Sequence, residues 1–187
     1  MGIIDQAFLN DRVIYVSGEV NDNMSDDVVR PLLYLENEKP GEEIKLYINA
    51  SPGGSVYAGL SIVDTMNLIS SPVSTFCLGY NASMASVIFS NGTKGKRYML
   101  PNSNIMIHQV SSGTEGKSDD IMIAARNTAN LNHRMLSLLA KNCGKTYKRM
   151  KKDCSHDYWM NAKQAVAYGI ADAIIGEEKE EEVADAL

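Results

Sequence analysis

Short apolar strands alternating with helix-period segments constrain this 187-residue chain more than any other feature. Residues 12–16, Arg-Val-Ile-Tyr-Val, are rich in the β-branched and aromatic side chains that strands favour. Residues 44–48 alternate as a strand does and run straight into Ser51-Pro52-Gly53-Gly54. Residues 73–78 are nearly all apolar, the pattern of a strand covered on both faces of its sheet. Between them lie two helical segments. One spans 23–38, starting near Asp22 or Ser25; Pro31 inside it must sit in the first turn or kink the helix, because it has no amide hydrogen to give. The other spans 56–69, with Leu60, Val63, Met66 and Ile69 recurring along one side. Ser83 then begins a short apolar helix to Phe89, and further strands are predicted at 96–100 and 105–108. This alternation predicts βαβ units and an α/β layer fold.

The second half changes character. Residues 109–117 contain Ser111, Ser112, Gly113 and Gly116, which predicts a flexible segment or weak extended strand. Ser118 is expected to cap a long helix, with Asp119 and Asp120 in its first turn and Gly144 ending it. Roughly 25 residues make it about 38 Å long. That exceeds what the core of a domain this size needs, so the helix should protrude and meet another subunit. Asn161 and Gln164 form a capping box for a helix ending at Gly169, and 171–175 offers a last strand. The expected organisation is one domain over 1–176 and an acidic, disordered tail over 177–187.

Composition narrows the function classes. A net charge of -5 and a pI near 5.2 argue against a nucleic-acid surface. Lys145, Lys148, Arg149, Lys151 and Lys152 cluster, and on a helix they read as a solvated face. No apolar run reaches the roughly 18 residues a membrane span needs. The amino terminus lacks the basic start and apolar stretch of a signal peptide, and the Ser/Thr that a myristoylation signal requires. Cys77, Cys143 and Cys154 have no C-x-x-C spacing, so neither a disulfide framework nor a zinc site is expected. The expectation is a soluble cytoplasmic protein from a reducing compartment, without metal or cofactor.

Three separated segments carry candidate chemistry: Gly79-Tyr80-Asn81-Ala82-Ser83-Met84-Ala85, Met106-Ile107-His108-Gln109 and His156-Asp157-Tyr158-Trp159. A serine hydroxyl is a poor nucleophile until a base takes its proton. His108 can be that base and Asp157 can fix its tautomer. The amides of Gly54 and Met84 are candidate donors to a developing oxyanion. The chain order Ser, His, Asp differs from the chymotrypsin, subtilisin and α/β-hydrolase orders, and the serine is not in G-x-S-x-G. Plainer readings stand beside this one. Ser83 can be a helix cap, His108 a core histidine, Asp157 a turn residue, and Gly53-Gly54 a tight turn. A phosphate loop is excluded, because Leu60 stands where its lysine would be. Cys154 with His133 or His156 offers a thiol alternative. Composition and spacing leave these readings open.

Taken together, Leu46-Tyr47-Ile48-Asn49 with Ser51-Pro52-Gly53-Gly54, Gly79 to Ala85, Gly95-Lys96-Arg97, Leu100-Pro101-Asn102-Ser103, Ile105 to Gln109 and Ala165-Val166-Ala167-Tyr168-Gly169 resemble the proteolytic subunit family of Clp protease. The resemblance implies the ClpP/crotonase-like α/β fold of repeated ββα units, with 118–142 as the handle helix. It implies a serine endopeptidase with Ser83 as nucleophile, His108 as base, Asp157 as orienting acid, and Gly54 and Met84 as oxyanion amides. Substrate, an unfolded polypeptide, would lie as an added strand against Ser55 and Val56 on one side and Gln109 and Val110 on the other. The implied assembly is heptameric rings stacked as a tetradecamer, fed by an ATP-dependent unfoldase. Four departures qualify these expectations. Ala50 is an extra residue before Ser51, to be absorbed as a bulge near the oxyanion glycines. Val110 replaces the usual proline. His156 replaces an arginine used in ring-to-ring contacts. The chain begins about a dozen residues before its first strand, so coupling to the unfoldase is expected to be weak or altered. A weakly active structural subunit, or a crotonase-type acyl-CoA enzyme, is the alternative.

Overall fold

Two sheets of unequal size carry the chain, and from the third strand to the sixth the chain alternates between them. The computed structural model describes residues 3–176, so the expected tail over 177–187 lies outside the described residues. The chain opens with α1 (Ile3–Asn10), β1 (Val13–Ser17), α2 (Asp22–Glu38), β2 (Ile44–Asn49) and α3 (Val56–Leu68). Then come β3 (Val73–Cys77), β4 (Tyr80–Ala82), α4 (Met84–Ser90), β5 (Arg97–Met99), β6 (Asn104–Ile107) and α5 (Ser118–Cys143). It closes with α6 (Tyr147–Asp153), β7 (Tyr158–Asn161), α7 (Ala162–Tyr168) and β8 (Ala173–Ile174).

The large sheet runs β1-β2-β3-β5-β8, parallel throughout, and the small one runs β4-β6-β7. The segments β3-β4-α4 and β5-β6-α5 are thus ββα units whose first strand joins the large sheet and whose second joins the small one. This is the mixed α/β architecture expected from the resemblance. Every residue of β3 is buried, the polar Ser74 and Thr75 included, as expected of a strand covered on both faces. Leu32, Leu35, Ile44, Leu46, Ile48, Ile62, Ile88 and Phe89 fill the space between helices and sheet.

The helices show where local signals held and where packing overrode them. The capping box is present in both directions between Asn161 and Gln164, and Gly144 ends α5 in the left-handed region at φ 65. One expectation is narrowed and another needs correction. Pro31 lies mid-helix and not in the first turn, and α2 continues past it to Glu38. The carbonyl of Asp27 loses its helical donor there, but Asp27 is exposed, so water can serve it. Ser118 is inside α5, and the cap position falls to Lys117 with no side-chain bond. The buried residues of α5 begin only at Met135, while Ile121, Met122 and Ile123 are exposed, so the first half of the helix projects beyond the core. The basic cluster does lie largely along a helix, α6.

One buried cation joins the ends of three helices. Arg97, 1% exposed, donates to both Asp172 oxygens at 2.8 and 2.7 Å and to the carbonyls of Ser90, Asn142 and Gly169. Burial pushes the Asp172 carboxyl up, but the hydrogen bonds and charge of Arg97 outweigh it and hold the group below the ordinary carboxylate range. Among the described residues, no helix is long and apolar enough to cross a membrane.

Candidate active site

The small sheet brings the three candidate side chains to one edge. β4 pairs with β6 in parallel, Ala82 opposite Met106, so the residues following both strands emerge at the same end. β7 pairs with β6 antiparallel, Ile107 opposite Tyr158, so the residue preceding β7 emerges there too. Those residues are Ser83, His108 and Asp157, one per strand. Neighbouring strands lie about 4.8 Å apart, a spacing that hydroxyl, imidazole and carboxylate can bridge.

They do. Ser83 Oγ lies 2.9 Å from His108 Nε2, and His108 Nδ1 lies 3.0 Å from Asp157 Oδ1. An imidazole holding its proton on Nδ1 donates to the carboxylate and leaves Nε2 as acceptor for the hydroxyl. The structure also decides between Ser83 as a cap and Ser83 as part of this relay. It occupies the N-cap position of α4, yet its side chain makes no capping bond there. Its backbone sits at φ 55, ψ -120, a conformation a non-glycine residue holds at a cost of about 1–3 kcal/mol. The donation of its amide to Met106 O at 2.9 Å helps keep it there.

The glycine turn lies against this edge. Gly53 is so close to β4 that an added Cβ would fall 2.6 Å from both Ala82 O and Ser83 Cβ, and 3.1 Å from Met84 N. Gly54, at φ 141, bridges Val20, whose carbonyl would lie 2.2 Å from a Cβ there. The amide of Met84, at the first position of α4, has no intrahelical acceptor to reach. Between the last rung of the β1·β2 ladder and this bridge the two sides are unequal, and Ala50 lies on the longer one. One side takes three steps, Ser17 to Val20, and the other takes five, Asn49 to Gly54.

The candidate substrate-strand residues flank the relay on both sides. Ser55 caps α3 with its hydroxyl and donates its amide to Val20 O at 2.7 Å, and Val56 is the first residue of that helix, half-buried. Gln109 donates its amide to Cys154 O at 2.9 Å, and Val110 donates to Asn132 Oδ1, on α5, at 3.0 Å. Three of the four amides are therefore engaged within the chain. The thiol alternative fails. Burial, reinforced by the Asp153 and Cys143 charges, pushes Cys154 up to about 12, so it is no thiolate near neutrality. His156 bonds only its neighbour Ser155, at 3.1 Å, among the contacts described.

Two residues at this edge drew no role from sequence. Tyr80 stacks on Trp159 with ring centroids 4.9 Å apart, and burial together with the Asp157 charge pushes its phenol up. Asn81, fully buried, reaches back to β2. The quoted segments contain both, but nothing in their local pattern marks a partner across two strands.

A family model, Clp protease, matches residues 2–178. The chain belongs to the Clp protease family. Proteins described as the ATP-dependent Clp protease proteolytic subunit from Streptococcus pyogenes serotype M5 (strain Manfredo), serotype M49 (strain NZ131) and serotype M1 are each 49% identical over 174 residues, covering 92% of this chain and 88% of theirs. The match spans every segment that builds the site, from Gly53 through Ser83 and His108 to Asp157. In this Clp protease chain the ββα repeat and the convergence of the three side chains are thus two aspects of one architecture.

Proposed function

We propose that this chain is the proteolytic subunit of an ATP-dependent Clp-type protease, a serine endopeptidase that cuts unfolded polypeptide. The observation that carries the reading is the continuous line from Ser83 Oγ through the His108 ring to Asp157 Oδ1, at 2.9 and 3.0 Å. In the forward step Ser83 Oγ attacks the scissile carbonyl while His108 Nε2 takes its proton. Asp157 holds the ring in the tautomer that leaves Nε2 free and stabilises the imidazolium that forms. The carbonyl oxygen becomes an oxyanion facing the amides of Gly54 and Met84, each such donor being worth about 10²–10³ in rate. Collapse expels the leaving amine, which takes the proton from His108. Water, activated by the same ring, then releases the acyl group and restores Ser83.

The substrate is proposed to lie extended between residues 54–56 and 109–110, paired by main chain so that many sequences are accepted. With the Gln109 amide tied to backbone, pairing on that side uses carbonyls, or frees the Val110 amide by displacing Asn132. Residues 1–176 act as one catalytic domain. The side chain of Asp157 is 56% exposed in a single chain, too open for a group that must hold a base, which favours cover from neighbouring subunits. The projecting half of α5, with its exposed Ile121, Met122 and Ile123, is the proposed joint between stacked heptameric rings in the cytoplasm. ATP is proposed to be spent by a partner unfoldase, a reading supported by the relatives' description as the proteolytic subunit of an ATP-dependent Clp protease.

The test is a fluorophosphonate adduct located by mass spectrometry, with particle mass measured on the same sample. The reading requires the adduct on Ser83 and a particle of many protomers. An adduct elsewhere, or none on protein that is folded and assembled, would overturn it.

A further inference from the structure

We infer that Asn81 is a positioning residue of this site: its carboxamide locks the turn carrying Gly53 and Gly54 onto the strand carrying Ser83. The inference rests on the protease reading above and concerns how the oxyanion donors are held relative to the nucleophile.

The problem Asn81 solves begins with Ala50. This residue lies beyond the last rung shared by β1 and β2, Ser17 opposite Asn49, so its amide has no strand partner. It is completely buried, so water cannot serve that amide either. A buried N–H without an acceptor is costly enough that the chain would rearrange to relieve it. The side chain of Asn81 supplies the acceptor: Ala50 N–H donates to its Oδ1 at 2.8 Å. The other end of the same carboxamide is also engaged. Nδ2 donates to Ile48 O at 3.0 Å and to Cys77 Sγ at 3.1 Å, which fixes the amide's orientation.

Ala50 is tied a second time, its carbonyl accepting from Ala82 N at 3.4 Å. Both ties end on the two residues immediately before Ser83. A few residues further along the turn, Gly53 rests on Ala82 O and Ser83 Cβ with no room for a methyl group. The turn is therefore registered against β4 at its start, by Asn81 and Ala82, and at its end, by Gly53. The alternating pleat makes this possible: Asn81 points toward the large sheet, its neighbours Tyr80 and Ala82 to the other face. Release of the Ala50 end lets the turn shift while the Ser83-His108-Asp157 line, held by β6 and β7, stays in place. The loss then falls on the oxyanion, whose charge develops only in the transition state, and not on ground-state binding.

The test uses the full-length assembled protein, with rates normalised to particle mass. Asn81→Ala should lower kcat on a small fluorogenic peptide by about 10²-fold, the effect of a displacement near 1 Å in a positioned site, with KM within about threefold of wild type. Affinity for a peptide boronate, whose tetrahedral adduct needs the same amides, should fall in parallel. Deleting Ala50 removes the residue that Asn81 ties and shortens the turn by one, so Asn81→Ala in that background should cost less than about fivefold. If Asn81→Ala alone does not fold, a folded and active double variant supports the inference equally. A double variant that fails where the Ala50 deletion alone folds and works would make Asn81 a general structural residue and overturn it. So would Asn81→Ala with kcat unchanged, or with its loss carried by KM. Wild-type protein that hydrolyses no peptide and takes no adduct at Ser83 would instead overturn the protease reading, and this inference with it.

Discussion

Replacing Gly53 by alanine tests the site through geometry alone, without removing any reacting group. The new methyl would meet Ala82 O and Ser83 Cβ at 2.6 Å and Met84 N at 3.1 Å. Two of these are backbone atoms and the third is the nucleophile's own β-carbon, so no flexible side chain can yield. Restoring ordinary van der Waals separation takes a shift of roughly 1 Å between the turn and β4, and such a misplacement costs about 10²-fold in rate. That corresponds to about 2.7 kcal/mol of barrier. The substitution also places a side chain at φ +103, adding backbone strain of about 1–2 kcal/mol to folding. Gly41→Ala separates the two effects: its φ is +81, yet nothing lies within 4 Å of the added carbon. Initial rates on a fluorogenic peptide and urea unfolding of the same samples read out both. Gly41→Ala should lose about 1–2 kcal/mol of stability and keep kcat/KM within about twofold, whereas Gly53→Ala should lose about 10²-fold. Equal activity losses in the two variants, or Gly53→Ala within threefold of wild type, would refute the reasoning.

Other outcomes follow from the same contacts. Ser83→Ala should lose up to about 10⁶ in kcat on peptide, and a loss below tenfold removes Ser83 from the chemistry. Asp157→Asn should leave the fold intact but lower kcat by about 10⁴, because an amide can no longer hold the His108 tautomer; stopped assays that find less than tenfold reject the orienting role. Arg97→Met should cost about 3–5 kcal/mol in urea unfolding near neutrality, by taking the buried guanidinium from the Asp172 carboxylate and leaving it only Lys94 and the amides of residues 95 and 97. The sign with pH is fixed by the depressed folded-state pKa of Asp172. Its stabilisation is complete above the unfolded value of about 3.9 and drains as pH falls through the folded one, so wild-type stability should drop below about pH 4. Arg97→Met should shrink that part of the slope, since Lys94 and two backbone amides remain on the carboxylate, and a slope unchanged by the substitution would place its origin elsewhere.

What the sequence made legible, and what it hid, divides by the range of the interactions involved. Local patterns held where the cause is local: the mainly apolar run of β3, the Asn161–Gln164 box and the left-handed Gly144 each need only their own neighbours. Three or four residues carry no period of their own, so β4 and β7 were missed, although β5 and β6, equally short, lie where strands are predicted at 96–100 and 105–108. Helix α1 was missed for another reason: it buries no residue, so no apolar stripe marks it. Ser118 looked like a cap, but the turn began one residue earlier. Ser83, His108 and Asp157 were legible as candidates, but composition and spacing left their roles open and only the resemblance singled them out. Their convergence, like the grip of Asn81 on Ala50 31 residues away and of Arg97 on Asp172 75 residues away, is a product of sheet register.

The chain order Ser, His, Asp illustrates that register most directly. In isolation it disfavours only the three familiar folds that order the same residues differently. The small sheet accounts for it. Its spatial order, β4-β6-β7, is also its order in the chain: two ββα units place β4 and β6 side by side, and β7, which follows α6, pairs on the far side of β6. Two parallel strands present their C-terminal ends at one edge, where a nucleophile and then a base emerge. A third residue can reach that edge only from the start of an antiparallel strand, and β7 is antiparallel to β6. Asp157 therefore precedes β7 and comes last in the chain. With the histidine on the middle strand, the order Ser, His, Asp is one that this topology accommodates, so its difference from the familiar orders does not count against the site.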